Sequence, residues 1–329
     1  MGIKNDLAEP ICTQHLVMEF LAVSQQAAMA CYPFVGRRDK MEADGAGTKA
    51  MRQRMNQIDM NGVIVIGEGE MDEAPMLYID EKLGTGKGPH VDIAVDPVEG
   101  TNLMATGREN SLVVMAVADR GSLLHAPDMY MEKIAVGPKA KGVINIESSL
   151  TENMRAVAAA LGKDVSELTV MIQDRPRHES YIQQVLQEGA SVKLFSDVDI
   201  TGAIATAFDD INVDILVGIG GAPEGVITAA ALKCLGGDFQ ARLVPQNEAE
   251  VERCKKMGIE NPEKALKLDE IVRTDDCFFV ATGITDGMLL KGAHMTKKHF
   301  LKTHSLVITG GNMKSTQFVT GEFPIDSNF

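Results

Sequence analysis

The chain has 329 residues, 46 acidic and 32 basic, for a formal net charge of −14. That acidity, with 5% aromatic residues and no tryptophan, argues against a nucleic-acid binder, which needs a basic face and stacking rings. No apolar run reaches the ~18 residues of a membrane span, and the length favours two domains over one core.

The N-terminus lacks the basic-then-apolar pattern of a signal peptide. Cys12, Cys31, Cys234, Cys254 and Cys277 are scattered, odd in number and form no CxxC, so they read as idle thiols of a reducing cytosol. Apolar positions at Val17, Phe20, Leu21, Ala27 and Ala28 predict an amphipathic helix over 14–31. A second helix is expected over 44–57, weakened by Gly45 and Gly47. Strands follow at 62–66 and 91–95, each running into an acidic loop. Residues 111–118 read as a buried strand, and 132–136 and 142–147 as shorter ones. Ser149 and Glu152 form a capping-box pattern that opens a helix over 150–161.

From 168 the rhythm changes to strand 168–173, helix 179–188, strand 191–195, helix 200–207, strand 212–217, helix 223–235 and strand 238–243. Pro223 at the start and Gly236-Gly237 at the end punctuate the last helix. The chain is expected to be α/β: an α+β N-terminal half over 1–160 and an α/β C-terminal half over 161–329.

The segment Asp96-Pro97-Val98-Glu99-Gly100-Thr101 carries the most chemistry. Pro97 and Gly100 predict a break after the strand and a tight turn that can swing Asp96, Glu99 and Thr101 toward one point. Clustered carboxylates suit a hard divalent cation, and a hydroxyl beside it can orient or deprotonate water. Glu68, Glu70, Asp72 and Glu73 crowd a second loop, after the strand at 62–66. Such crowding is unfavourable unless solvent or a cation relieves it. If the two strands lie side by side, the loops share a rim, where α/β proteins build sites. An acidic surface turn is the competing reading of each loop alone.

GEGEMDEAPM followed about thirty residues later by DPVEGTN resembles the class II, GlpX-type fructose-1,6-bisphosphatases, within the lithium-sensitive, metal-dependent sugar and inositol phosphatases. The resemblance runs from Asp39–Asp44 through Ala126–Met131, Asp174-Arg175-Pro176-Arg177-His178 and Gly220–Gly225 to Ala281–Gly287 and Thr303–Ser305. It implies a sandwich of alternating helix and sheet layers, α-β-α-β-α. It implies Asp44, Glu68, Asp96, Glu99 and Glu224 as ligands of two or more Mn2+ or Mg2+ ions. Taken alone, Glu224 would read as an acid favoured at a helix N-terminus. Thr101 becomes the activator of water, with Asp72 or Glu70 taking its proton; its plainer reading is a turn hydroxyl bonded to its own backbone.

The same resemblance implies a substrate cradle of Glu99, Gly100, Thr101, Tyr130, Arg175, Pro176, Arg177, Asp197, Val198, Asp199 and Gly221. The arginines suit the phosphate that does not react, because a guanidinium fork holds phosphate bidentately. The expected activity is hydrolysis of fructose 1,6-bisphosphate to fructose 6-phosphate in gluconeogenesis, by direct attack of water. Sedoheptulose 1,7-bisphosphate is the alternative substrate, and a non-catalytic sugar-phosphate sensor the alternative of another class. A cytoplasmic homo-oligomer, dimer or tetramer, is expected, with no nucleic-acid or membrane partner. The chain departs from the family's pattern in three places: extra basic charge in Gly36-Arg37-Arg38-Asp39-Lys40, Val198 where the loop Asp197-Val198-Asp199 usually has glycine, and roughly ten extra N-terminal residues. A further basic cluster, Lys291–Lys302, reads as a solvated face.

Overall fold

The computed structural model describes residues 13–67 and 76–325. Helices α1 (Val17–Cys31) and α2 (Lys40–Met55) precede strands β1 (Asn61–Ile66), β2 (Lys82–Leu83) and β3 (His90–Glu99). Then come α3 (Thr101–Thr106), β4 (Leu112–Asp119), β5 (Tyr130–Val136), α4 (Leu150–Leu161), β6 (Thr169–Gln173), α5 (Glu179–Gln187) and β7 (Ser191–Phe195). The chain continues through α6 (Asp199–Ala205), β8 (Ile215–Gly221), α7 (Ala222–Leu235), β9 (Asp238–Leu243), α8 (Glu248–Lys256), β10 (Leu266–Lys267) and α9 (Leu268–Ile271). Strands β11 (Cys277–Gly283), β12 (His294–Met295), β13 (Phe300–Thr309) and β14 (Ser315–Pro324) complete it.

Two mixed sheets form. The first runs β12-β13-β11-β4-β3-β1-β2, with β14 also pairing β13; the second runs β10-β9-β5-β8-β6-β7. The strand pattern explains why both faces of each sheet are covered. On β3, Ile93 and Val95 face one apolar cluster while Ala94 faces another; on β11, Phe278 and Val280 oppose Phe279 and Ala281 in the same way. Successive side chains leave a strand on opposite faces, so a near-continuous apolar run marks a strand buried on both.

The clusters define the layers. Phe20, Leu21, Met51 and Met55 of α1 and α2 pack on the first sheet. Ile200, Val226 and Leu232 of α6 and α7 lie between the sheets with Val114, Phe279, Phe239 and Leu243. Leu150, Met154 and Val157 of α4, with Val185 of α5, cover the far face of the second sheet against Ile134, Val170 and Ile172. The result is the α-β-α-β-α sandwich. Helix α7 is apolar all round because it is the middle layer. The change of rhythm near residue 160 does not mark the change of sheet: β5 belongs to the second sheet, and β11 to β14 return to the first.

Several local expectations need correction. Residues 142–147 form no strand, although Val143, Ile144 and Ile146 are apolar. Side chains take up their backbone groups instead: Gly142 N donates to Asp238 Oδ2 at 2.9 Å, Ile146 N to Gln240 Oε1 at 3.0 Å, and Gln240 Nε2 to the Ile144 carbonyl at 2.7 Å. Helix α2 begins four residues earlier than expected, because Asp39 caps it and accepts from Glu42 N at 3.1 Å. Strand β3 continues through Pro97 to Glu99 rather than breaking there.

The capping box at Ser149 forms as predicted, with Glu152 N donating to Ser149 Oγ at 3.2 Å and Ser149 N to Glu152 Oε2 at 2.9 Å. Ser149→Ala should cost about 1 kcal/mol, seen as a lower thermal midpoint with turnover intact, since α4 lies in an outer layer. An unchanged midpoint would show that the box contributes nothing to the fold.

Candidate active site

Strands β1 and β3 are parallel neighbours, Ile64 opposite Ile93, so their C-terminal ends share a rim. At the end of β3 the register with β4 slips: Asp96 lies opposite Val114 and Glu99 opposite Leu112, so three steps on β3 match two on β4. Pro97 sits in this bulge, where a missing N–H costs no ladder bond. Val98 N donates to Asp96 Oδ1 at 2.9 Å, which fixes one carboxylate. Gly100 then turns at φ 77°, and a Cβ there would stand 2.7 Å from Val198 Cγ2. The turn therefore needs glycine twice over, for its conformation and for the approach of the 197–199 loop.

Two helices complete the cluster. Asp44 projects from α2, and Glu224 from the first turn of α7. The Glu224 side chain folds back over Gly221 so closely that a Cβ on Gly221 would lie 1.9 Å from its Oε2. Thr101 opens α3, and its hydroxyl donates to the Val98 carbonyl at 2.9 Å. The same hydroxyl is close enough to Asp44 to lower that carboxyl's pKa.

Burial and mutual repulsion dominate the electrostatics. Asp44 is pushed up to about 6, by desolvation first and then by Asp96. Glu224 is pushed up to about 7 by desolvation, with Lys133 opposing and Asp199 and Asp96 adding. Desolvation also raises Asp96, and raises Glu99 well above its ordinary value with help from Asp96 and Glu224. Asp44 Oδ1, Glu99 Oε2 and Glu224 Oε2 are buried oxygens with no hydrogen-bond partner. Buried acceptors are rarely left so, and three in one cluster point to a missing cationic partner. The donors are all carboxylate oxygens, which fits magnesium or manganese and not zinc. Among the described residues no group of three or more histidine, cysteine, aspartate or glutamate side chains is set to hold an ion. Glu68, Glu70 and Asp72 lie outside the described residues.

The arginine loop sits at the C-terminal end of β6, beside β8. Arg177 gives Nε and Nη2 to the Ile219 carbonyl at 3.0 and 2.7 Å, gives Nη2 to Gln173 Oε1 at 2.9 Å, and stacks 5.0 Å above the Tyr130 ring. Arg175 is freer: its Nη1 donates to the Asp174 carbonyl at 3.2 Å and its Nη2 stands 4.0 Å from Asp197 Oδ1. Pro176 opens the short 3-10 turn that carries Arg177 and His178. His178 is buried and bridges the loop to β8, with Nδ1 2.8 Å from the Gln173 carbonyl and Nε2 accepting from Ile219 N at 2.8 Å. That pairing fixes the neutral ring with its proton on Nδ1.

Asp199 ion-pairs with Lys133 at 2.6 Å. Lys133 was missed by the sequence reading. It is 1% exposed on β5 and is the cation that moderates Glu224. A charge placed directly before the run Ile134-Ala135-Val136, within the same strand, is the signal that could have found it. Val198, the departure from the expected loop, is buried at φ 72°, a conformation that a β-branched residue rarely adopts. It also holds the carbonyl that Thr201 Oγ1 donates to at 3.0 Å.

The family model described as bacterial fructose-1,6-bisphosphatase, glpX-encoded, matches residues 14–322. The chain belongs to this family. It is 50% identical over 310 residues to fructose-1,6-bisphosphatase 1 class 2 of Escherichia coli strain K12, covering 90% of this chain and 92% of that one. It is 45% identical over 316 residues to the D-fructose 1,6-bisphosphatase class 2/sedoheptulose 1,7-bisphosphatase of Synechococcus strain CC9902, covering 92% and 94%. Among solved structures, the extragenic suppressor from Pyrococcus furiosus is similar at 10% identity and a TM-score of 0.31 over 58% of this chain and 70% of that one, too slight a likeness to bear on fold or function.

Two predictions follow from the geometry. Val198→Gly should cost no more than about 2 kcal/mol, because releasing roughly 1–2 kcal/mol of strain offsets much of the roughly 1.5–3 kcal/mol of lost side-chain burial; a loss well beyond that in chemical unfolding would show the turn to be unstrained. The second concerns pH. The raised carboxyls bind protons more tightly folded than unfolded. In metal-free protein their stabilisation is therefore full below the ordinary values of 3.8 and 4.5 and is lost as pH rises through about 6 for Asp44 and about 7 for Glu224. A bound divalent cation competes with those protons, so the rise in melting temperature given by Mn2+ should grow from about pH 5 to about pH 7.5. A metal effect independent of pH would contradict this cluster as the metal site.

Proposed function

We propose that the protein hydrolyses fructose 1,6-bisphosphate to fructose 6-phosphate and phosphate. The observation that carries the reading is the set of partnerless buried oxygens on Asp44, Glu99 and Glu224, gathered with Asp96 beside the Thr101 hydroxyl. With Glu68, these residues would hold two or more divalent cations, Mn2+ or Mg2+. Bound there, such ions supply charge neutralisation and Lewis acidity for an in-line phosphoryl transfer.

The chain's own groups have separate tasks. Thr101 Oγ1 orients the attacking water and passes its own proton to an acidic neighbour, Glu70 or Asp72. Lys133 holds Asp199 in place beside the Glu224 turn. Gly100 and Gly221 belong to the same cradle by making room for Val198 and the Glu224 carboxylate, and Asp197, Val198 and Asp199 line the sugar's path. Arg175 binds the phosphate that does not react. Arg177 has two of its nitrogens on the protein's own acceptors, so it positions the Tyr130 ring and the end of β8 as much as it contacts phosphate.

Sedoheptulose 1,7-bisphosphate as a second substrate is supported by the name of the Synechococcus relative. A cytoplasmic location fits the buried thiols of Cys31, Cys234, Cys254 and Cys277, none of which is in a disulfide. No helix of the described residues is long and apolar enough to cross a membrane. Assembly into a dimer or tetramer belongs to the same reading, supported by the exposed edge of β14, where Phe318 is 49% exposed.

Phosphate release from fructose 1,6-bisphosphate should vanish when divalent ions are stripped and return with Mn2+ or Mg2+. Thr101→Ala should lose ~10²–10⁴-fold in turnover with the fold and substrate binding kept. Full activity in that variant would remove Thr101 from the chemistry. Arg175→Ala should raise KM for the bisphosphate and leave an aryl phosphate, which has no second phosphate, nearly unaffected. Arg177→Ala should do the same and also lower the melting temperature, because it strips the Ile219 carbonyl of its donor. Equal losses on both substrates would place the arginines at the reacting phosphate.

A further inference from the structure

His178 has no task in the proposed reaction, although it closes the segment Asp174-Arg175-Pro176-Arg177-His178 whose arginines are assigned to phosphate. It is fully buried and ends the 3-10 turn that carries Arg177. The ladder between the parallel strands β6 and β8 covers Val170–Ile215 and Met171–Leu216, whereas β6 runs on to Gln173 and β8 to Gly221. Past that ladder the imidazole spans the two strands, with Nδ1 on the Gln173 carbonyl and Nε2 on Ile219 N, each at 2.8 Å. A side-chain ring thus takes over where the two strands part.

The ring is held on several sides. It lies flush on β8, where a Cβ on Gly218 would stand 3.3 Å from its Nε2. Tyr181 of α5 backs it, with ring centroids 6.0 Å apart and planes 19° from parallel. The Tyr181 hydroxyl donates to Glu132 Oε1 at 2.5 Å, on the carboxylate that also accepts from Arg242 Nε at 2.5 Å. Burial pushes His178 below the ordinary imidazole value, and Arg177 and Arg175 push the same way against the Gln173 carbonyl. The neutral ring can donate from Nδ1 and accept at Nε2 at once, whereas a charged ring would set a second N–H against that of Ile219.

His178 and Arg177 share one backbone partner. Ile219 N donates to His178, and the Ile219 carbonyl accepts from Arg177 Nε and Nη2 at 3.0 and 2.7 Å. Consecutive side chains therefore grip both polar groups of one residue. That fixes the guanidinium plane and leaves its Nη1 without a hydrogen bond among the described residues. Strand β8 does not depend on this grip, because it pairs with β5 from Ile215 to Gly221. The arginine turn does. Its other backbone bonds are Asp174 N to the Phe195 carbonyl at 2.7 Å and two local ones, Arg175 N to the Gln173 carbonyl and His178 N to the Arg175 carbonyl, at 2.9 Å each. Removing the ring would thus free the turn and not the strand that leads to Glu224. Ordering a binding group before the ligand arrives lowers the cost of binding.

We propose that His178 is a positioning residue for the substrate: its bridge to Ile219 sets Arg175 and Arg177 to hold the phosphate that does not react. This rests on the assignment of that phosphate to the arginine turn. The test is steady-state kinetics with Mn2+ on fructose 1,6-bisphosphate and on para-nitrophenyl phosphate, for wild type, His178→Asn and His178→Gln. An asparagine amide stands where Nδ1 does and can keep the Gln173 bond, but it falls short of Ile219. A glutamine reaches Ile219 N with its Oε1. His178→Asn should raise KM for the bisphosphate by about tenfold, with kcat and para-nitrophenyl phosphate turnover near wild type, and His178→Gln should recover most of the loss. A general loss of stability would lower the melting temperature without producing this split. Gly218→Ala, which presses a methyl against the ring, should raise the same KM by a smaller factor, and it decides the matter if His178→Asn does not fold. The inference is overturned if the folded variant keeps the wild-type KM, if His178→Gln does no better than His178→Asn, or if both substrates suffer equally. Arg175→Ala separates the two levels. If it raises that KM while the His178 and Gly218 variants do not, this inference alone fails; if it leaves that KM unchanged, the assignment of the arginine turn fails with it.

Discussion

Four carboxylates gather around the end of β3, and among the described residues Lys133 is the buried cation that stands beside them. Burial raises the proton affinity of Asp44, Asp96, Glu99 and Glu224, and repulsion from neighbouring carboxylates adds to it for Asp44, Glu99 and Glu224. The fold bears the cost because the four groups come from three rigid elements: Asp44 from α2 in the outer layer, Asp96 and Glu99 from the bulged end of β3, and Glu224 from the first turn of the central helix α7. No single loop could relax to disperse them. That rigidity makes the cluster useful, since a site that must bind cations tightly has to be assembled before they arrive.

The surrounding geometry follows from this constraint. The bulge at Pro97 and Val98 lets Asp96 and Glu99 turn together without leaving the sheet. Gly100 and Gly221 give up side chains so that the 197–199 loop and the Glu224 carboxylate can close over the backbone. Val198 holds a left-handed turn and pays strain to do so, while its methyl seals the space above Gly100. Arg175 and Arg177, steadied by His178 and Tyr130, put positive charge on the other sheet. On the proposed reading a bisphosphate would lie between that basic wall and the acidic one that would hold the cations.

Much of this was legible in the residues. Buried strands show as unbroken apolar runs, the helix from 150 to 161 is announced by its capping box, and the acidic strand ends point to the rim where β1 and β3 meet. What stayed hidden depends on distance along the chain. Residues 142–147 look like a strand, but Asp238 and Gln240, almost a hundred positions away, take their backbone groups. The return of β11 to β14 to the first sheet cannot be read from periodicity, which is local. Lys133 was overlooked because the adjacent charges Glu132-Lys133 suggest a solvent-exposed strand start, whereas β5 is covered on both sides. The roles of Glu68, Glu70 and Asp72 rest on the motif alone, since those residues lie outside the described ones.

The most direct test of the central claim is the uptake of Mn2+ by the stripped protein at neutral pH, followed through the free-ion paramagnetic resonance signal in wild type and in Glu224→Gln. Glu224 sits on the central helix, away from the β3 motif, so it tests whether the cluster acts as one centre. Tight uptake by the wild type, weakened by about tenfold or more in the variant with the fold unchanged, is the result expected. Equal uptake by both proteins would mean that the cations bind elsewhere and that the carboxylate cluster is not the metal centre.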